Sequence, residues 1–146
     1  MKKFKITLIL LLLATFSYAQ TPFDLGGVKS YYPVVEINTQ RIDAKYKNIL
    51  LNMIKETSKE LCINTENFSS RSLAFLVSYI GVGDELAIKL ELMLGETMKR
   101  NDTKEDVFVL SYLNGSIFVP EDKEELLEKA ESLLESFADQ YKEDNL

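Results

Sequence analysis

Residues 86–94 place a large apolar side chain at every second position: Leu86, Ile88, Leu90, Leu92 and Leu94, with Ala87, Lys89, Glu91 and Met93 between them. Side chains of a strand point alternately to its two faces, so this spacing makes one face that needs a core and one that tolerates water. Wound at helical pitch, the same five residues would scatter around the axis instead of forming a stripe. A strand with one such face restricts the chain to folds in which something amphipathic is laid against it.

Two stretches supply that cover. Between residues 41 and 62, Ile42, Tyr46, Ile49, Leu50, Met53, Ile54 and Leu61 recur at helical spacing, with Lys45, Asn48, Lys55 and Lys59 opposite. Thr39 or Asp43 is placed to cap the start, because a short side-chain oxygen accepts from an amide the helix leaves open. Beyond Pro120, the residues Leu126, Leu127, Ala130, Leu133, Leu134, Phe137, Ala138 and Tyr141 mark a second helix. Glu124, Glu128, Glu131, Glu135 and Asp139 face outward from it, and Asp122 with Glu125 forms a capping-box pattern.

The remaining segments read as strands. Tyr32 to Ile37 is a short first strand with Pro33 near its start, and residues 72–80 are apolar on both faces, as in an interior strand. A glycine-bearing hairpin loop at 81–85 leads into the leucine alternation, Gly95 marks a bulge, and 99–105 is a charged loop. Residues 107–113 form the next strand. Asn114-Gly115 is then either a tight hairpin turn before a short strand 116–119, or part of one long strand 107–119 bulged at Gly115. The order strand-helix-strand-strand-strand-helix predicts an α+β two-layer sandwich. Its sheet is mainly antiparallel, of four to five strands, with two helices on one face and the first strand parallel to a neighbour.

The N-terminus is an address. A basic start through Lys5, an apolar run over 6–16 and the small residues Ser17 and Ala19 predict a signal peptide over 1–19, cleaved before Gln20. The apolar run is shorter than the roughly 20 residues that cross a bilayer, so no stable membrane insertion is expected after cleavage. Export to a bacterial periplasm follows as the expectation, with no cysteine at the cut to carry a lipid. Residues 20–30, with Pro22 and Gly26-Gly27, read as a flexible leader, and 31–146 as a single α+β domain. Cys62 has no second cysteine to pair with and is expected as a packed thiol at the end of the first helix.

Charge and chemistry narrow the function. Cleavage removes Lys2, Lys3 and Lys5 and no acid, taking the formal net charge from −6 to −9. Such a surface repels phosphates, so nucleic acid is not an expected partner. The chain has no histidine, which removes the usual general base and the commonest transition-metal ligand. It carries no phosphate-binding glycine loop and no serine nucleophile elbow, so neither an enzyme nor a cofactor site is expected. Asp84-Glu85 and Asp102 lack the spacing of a calcium loop and read as solvated turns. Asn67, Asn101 and Asn114 stand in glycosylation triplets that are coincidental in a bacterial protein.

The order of elements from Val34 to Tyr141 resembles small bacterial envelope modules. Among them are the periplasmic domain of the curli-secretion channel lipoprotein, the N-terminal domain of the Tol-system translocation protein and the lipopolysaccharide-assembly lipoprotein. The resemblance is one of topology and export; it implies a fold and carries over no functional residue. The chain departs from the lipoproteins among them in lacking the acceptor cysteine.

The leading expectation is an exported interaction or assembly-factor module that binds a protein partner in the cell envelope, through a strand edge or through Tyr31 and Tyr32 beside the leader. The same tyrosines also fit the edge of the core with their hydroxyls wet. The alternative is a small-ligand or lipid carrier with a pocket between sheet and helices. A third reading is an acidic inhibitor presenting Glu124, Glu128 and Glu131.

Overall fold

The structure, a computed structural model, describes residues 24–146 except positions 68 and 123. The signal peptide expected over 1–19 lies outside these residues. Six elements follow in the predicted order: β1 (Tyr32–Ile37), α1 (Lys45–Glu60), β2 (Arg71–Val82), β3 (Glu85–Lys99), β4 (Asp106–Phe118) and α2 (Glu125–Asp144). The strands form one sheet in the order β1-β2-β3-β4, with β1 parallel to β2 and the other pairs antiparallel. The fold is α+β. Helix α1 makes the long return that a parallel β1–β2 pair requires.

The leucine alternation is the floor of the core. Leu94, Leu92, Leu90 and Ile88 stand opposite Leu73, Phe75, Val77 and Tyr79 of β2. Tyr46, Leu50 and Ile54 of α1, with Leu126, Ala130, Leu133, Leu134 and Phe137 of α2, bury themselves on that floor. Each fully buried leucine contributes on the order of 2 kcal/mol from the apolar area it removes from water. Leu86 does not share the floor. It pairs with Gly81 next to the two-residue turn at Gly83 and Asp84, and it is 44% exposed.

Side-chain oxygens just upstream of each helix accept amide hydrogens, while Ala44 and Glu124, which border the helices, make no side-chain cap bond. Asp43 Oδ1 accepts from the Lys45 amide at 2.9 Å, and Thr39 Oγ1 accepts from the Arg41 amide at 3.2 Å in the turn before it. Asp122 Oδ1 accepts from the amides of Glu124 and Glu125 at 2.8 and 2.9 Å, and the Glu125 carboxylate accepts from the Glu121 amide at 2.9 Å. This is the predicted box with its return bond moved one residue toward the N-terminus.

Two expectations are corrected. The described part of the leader is packed: Leu25 and Val28 are buried in the core. The Leu25 and Gly27 amides donate to Asp144 and Asn145 at the end of α2, and the Tyr141 hydroxyl donates to the Val28 carbonyl. Glycine and proline content cannot reveal such distant partners. Cys62 is exposed instead of packed, because a left-handed backbone (φ 57°) just past α1 turns its side chain outward.

Of the two readings of Asn114-Gly115, the one long strand holds, and the dipeptide makes no turn. Strand β4 runs through it, leaving four strands, and Gly115 lies opposite Glu91. A Cβ there would stand 3.0 Å from the Leu90 carbonyl oxygen, so glycine serves close approach of two strands. The register breaks not at Gly115 but beside Gly95, where the sequence places a bulge. Leu94 pairs with Tyr112 and Gly95 with Leu110, so Ser111 is the extra residue of a bulge.

The floor and its margin are separable in solution. Leu90→Ala is expected to lower unfolding stability by about 3 kcal/mol, whereas Leu86→Ala costs under about 0.5 kcal/mol. Urea denaturation of both variants checks this.

Candidate functional site

Both helices cover the same face of the sheet, which leaves the other face without a second layer among the described residues. Register fixes what it presents. Val34, Ala74, Met93 and Leu113 form one row across the four strands, and Glu36, Leu76, Glu91 and Gly115 form the next. Ser78, Lys89 and Ile117 make a third row. Lys89 Nζ lies 2.8 Å from Glu91 Oε1, so the two charges that break the apolar surface near its centre neutralise each other.

Toward β4 the surface becomes apolar. Phe108 is 68% exposed and Ile117 57%, and Leu110 and Leu113 are also exposed. The Phe108 ring lies over Gly95, which has no side chain to hold it off the sheet. Strand β4 is also the sheet's edge, and no described strand lies beyond it. Residues 107–119 contain neither a charged residue nor a proline, in a chain of which 27% is charged. An uncharged edge opens its outer backbone groups to any strand that approaches, although the exposed Gly115 amide here already donates to Asn114 Oδ1 at 2.8 Å, and contiguous exposed apolar surface is characteristic of interaction sites.

The two tyrosines proposed for partner binding separate: Tyr31 lies just before β1 and Tyr32 opens it, and consecutive residues of an extended chain point to opposite sides. Tyr31 is fully buried: its hydroxyl is 2.7 Å from Ser58 Oγ, its ring meets Phe137 edge-on at 6.2 Å, and Ser58 Oγ donates to the Ile54 carbonyl. It is a core residue and presents nothing to a partner. Tyr32 is 55% exposed on β1. It borders a cleft with Leu51, Lys55 and Lys59 of α1 and lies on the opposite edge from β4, about 14 Å away at the usual strand spacing.

The surface with the largest exposed apolar side chains is therefore one the sequence marks faintly. Its sign is the uncharged run 107–119, but only strand order shows that the run is an edge. The acidic side chains of α2 divide as well. Glu131, Glu135 and Asp139 line a groove against Glu56 and Glu60 of α1, whereas Glu124 and Glu128 face solvent. A second cleft of about 500 Å³ opens at the N-terminal ends of both helices, floored by Tyr46, Tyr79, Ile88 and Leu126 and rimmed by Arg41, Lys45, Glu121 and Asp122. Among the described residues no three acidic or cysteine side chains gather to hold a metal, and no helix is long and apolar enough to cross a membrane.

No family model and no curated protein matches the chain. Among solved structures, a PelC dodecamer from Paraburkholderia phytofirmans is 14% identical, covers 83% of this chain and 90% of its own, and has a TM-score of 0.40. A minor lipoprotein from Acinetobacter baumannii is 11% identical over 80% and 92%, with a TM-score of 0.31. These are similarities of outline.

The placement of Tyr31 has a consequence for alkaline stability. Burial pushes its hydroxyl up to about 12, only partly offset by the Ser58 hydrogen bond, whereas the unfolded chain titrates near 10. The folded state thus keeps a proton that the unfolded state has lost. The resulting stabilisation is complete below about pH 10 and is lost as pH rises through about 12. Tyr31→Phe is expected to flatten the fall in stability across this window, measured by urea unfolding at stepped pH; an unchanged slope would place the hydroxyl in water.

Proposed function

We propose that this chain is an exported interaction or assembly module of the bacterial envelope that binds a protein partner through the uncovered sheet face and β4. The observation that carries this is the concentration of exposed Phe108, Leu110, Leu113 and Ile117 on one edge strand with no charged residue between positions 107 and 119. Burying a side chain such as Phe108 against a partner would contribute roughly 1.5–3 kcal/mol, and several together are enough for a specific contact. The N-terminal signal pattern and the lack of histidine support a binding role in an exported chain over a catalytic one.

Affinity capture from an envelope extract of the source organism, at near-native expression and with crosslinking, tests the proposal. A specific protein is expected to be enriched by the parent chain and lost, by at least tenfold, with Phe108→Lys. Glu128→Lys, on the solvent side of α2, is expected to leave capture unchanged. Equal capture by the parent and Phe108→Lys would remove the sheet surface from the account.

A further inference from the structure

We infer that a second copy of this chain pairs with β4, antiparallel across a two-fold axis at Gly115, so that two four-stranded sheets become one. The inference rests on the interaction surface proposed above and names one occupant of its edge. Three features of the edge favour a copy of the same chain.

The first is charge. Two copies of a chain with a formal net charge of −6 repel one another, and more strongly once the signal's three lysines are gone. An isologous contact sets each residue against its own symmetry mate, so the surface that can close between two acidic copies is one without charge. Residues 107–118 of β4 meet that condition, and its one charged residue, Asp106, stands at the end away from the regular stretch. A differently charged partner would be met best by acidic residues, and this edge has only Asp106, at its start.

The second is register. The bulge at Ser111 interrupts β4, leaving 112–118 as its regular stretch, and Gly115 is the centre of that stretch. Folding it on itself about Gly115 sets Leu113 beside Ile117 on the uncovered face. On the helix side it sets Tyr112 beside Phe118 and Asn114 beside Ser116. Every residue meets a partner from its own face of the sheet, and large side chains meet large ones, as stable cross-strand pairs require. Centring the pairing nearer Phe108 would carry it across the bulge or draw Asp106 into it.

The third is the neighbouring helix. Lys129 of α2 reaches over the Phe118 ring, which identifies the side of the helix that overhangs β4. At helical spacing this side continues through Ser136 and Gln140, and Lys129 is itself 4.0 Å from Glu125. The acidic side chains Glu131, Glu135 and Asp139 line the opposite side, in the groove against α1. Two α2 helices brought together by the strand pairing therefore meet across a flank that carries Glu125 and Glu143 against Lys129, one net negative charge per copy.

A seven-residue strand contact is at the small end of specific interfaces, so the dimer should dissociate in the micromolar range. Sedimentation equilibrium of the exported chain over about 10–500 µM is expected to show the mass moving from monomer to dimer. Ile117→Lys, which circular dichroism should show folded because the site is exposed, is expected to weaken association at least tenfold. Phe108→Lys, outside the paired stretch, should leave it unchanged. In a Cys62→Ser background, Leu113→Cys with Ile117→Cys should form disulfide dimers under mild oxidation far faster than Phe108→Cys alone. A monomer throughout the range, association untouched by Ile117→Lys, or equal crosslinking of the two cysteine variants would each overturn the dimer. A chain that stays monomeric yet captures a different protein through Phe108 keeps the function proposed above. A dimer that captures nothing else removes that function and keeps the pairing.

Discussion

Everything in this molecule depends on the contact between the inner leucines of β3 and two amphipathic helices. Leu90, Leu92 and Leu94 are fully buried because α1 and α2 lie over them, and the helices are held because that floor is continuous with Leu73, Phe75 and Val77 of β2. The described chain has helical surface enough to cover one side of a four-stranded sheet. The other side must manage with what its own strands provide. The function proposed above is therefore assigned to the uncovered face, where exposure follows from a shortage of covering elements.

That face is organised by position in the sheet. Near its centre, Lys89 and Glu91 are held as a close pair, which leaves no net charge between them. At one margin stand Tyr32 and Glu36; at the other, β4 offers phenylalanine, leucine and isoleucine without charge. The bulge at Ser111 gives this edge some protection by interrupting regular pairing. It protects only the half of the strand nearer Asp106.

Much of the fold was legible in the sequence because period and capping are local properties. The alternation over 86–94, the stripe from Leu126 to Tyr141 and the Asp122 box each point to their element without help from the rest of the chain. Legibility failed where a residue's role is set by a distant partner. Leu25 and Val28 look like parts of a leader until the end of α2 closes over them. Tyr31 looks available until Ser58 and Phe137 are found around it. Asn114-Gly115 has hairpin chemistry, but the pairing of β4 with β3 overrides it and uses the glycine for close approach. The candidate surface was the least legible feature, since an edge is defined by what does not lie beside it.

The central claim is that the uncovered side of the sheet, and not the helical side, meets other molecules. Photo-crosslinking in intact cells tests it most directly, with a crosslinking amino acid placed in turn at Phe108 and Ile117 on the sheet and at Ile49 and Glu128 on the helices. The account predicts discrete adducts from the two sheet positions and little from the helical ones. Adducts from Ile49 or Glu128, with Phe108 and Ile117 silent, would contradict it.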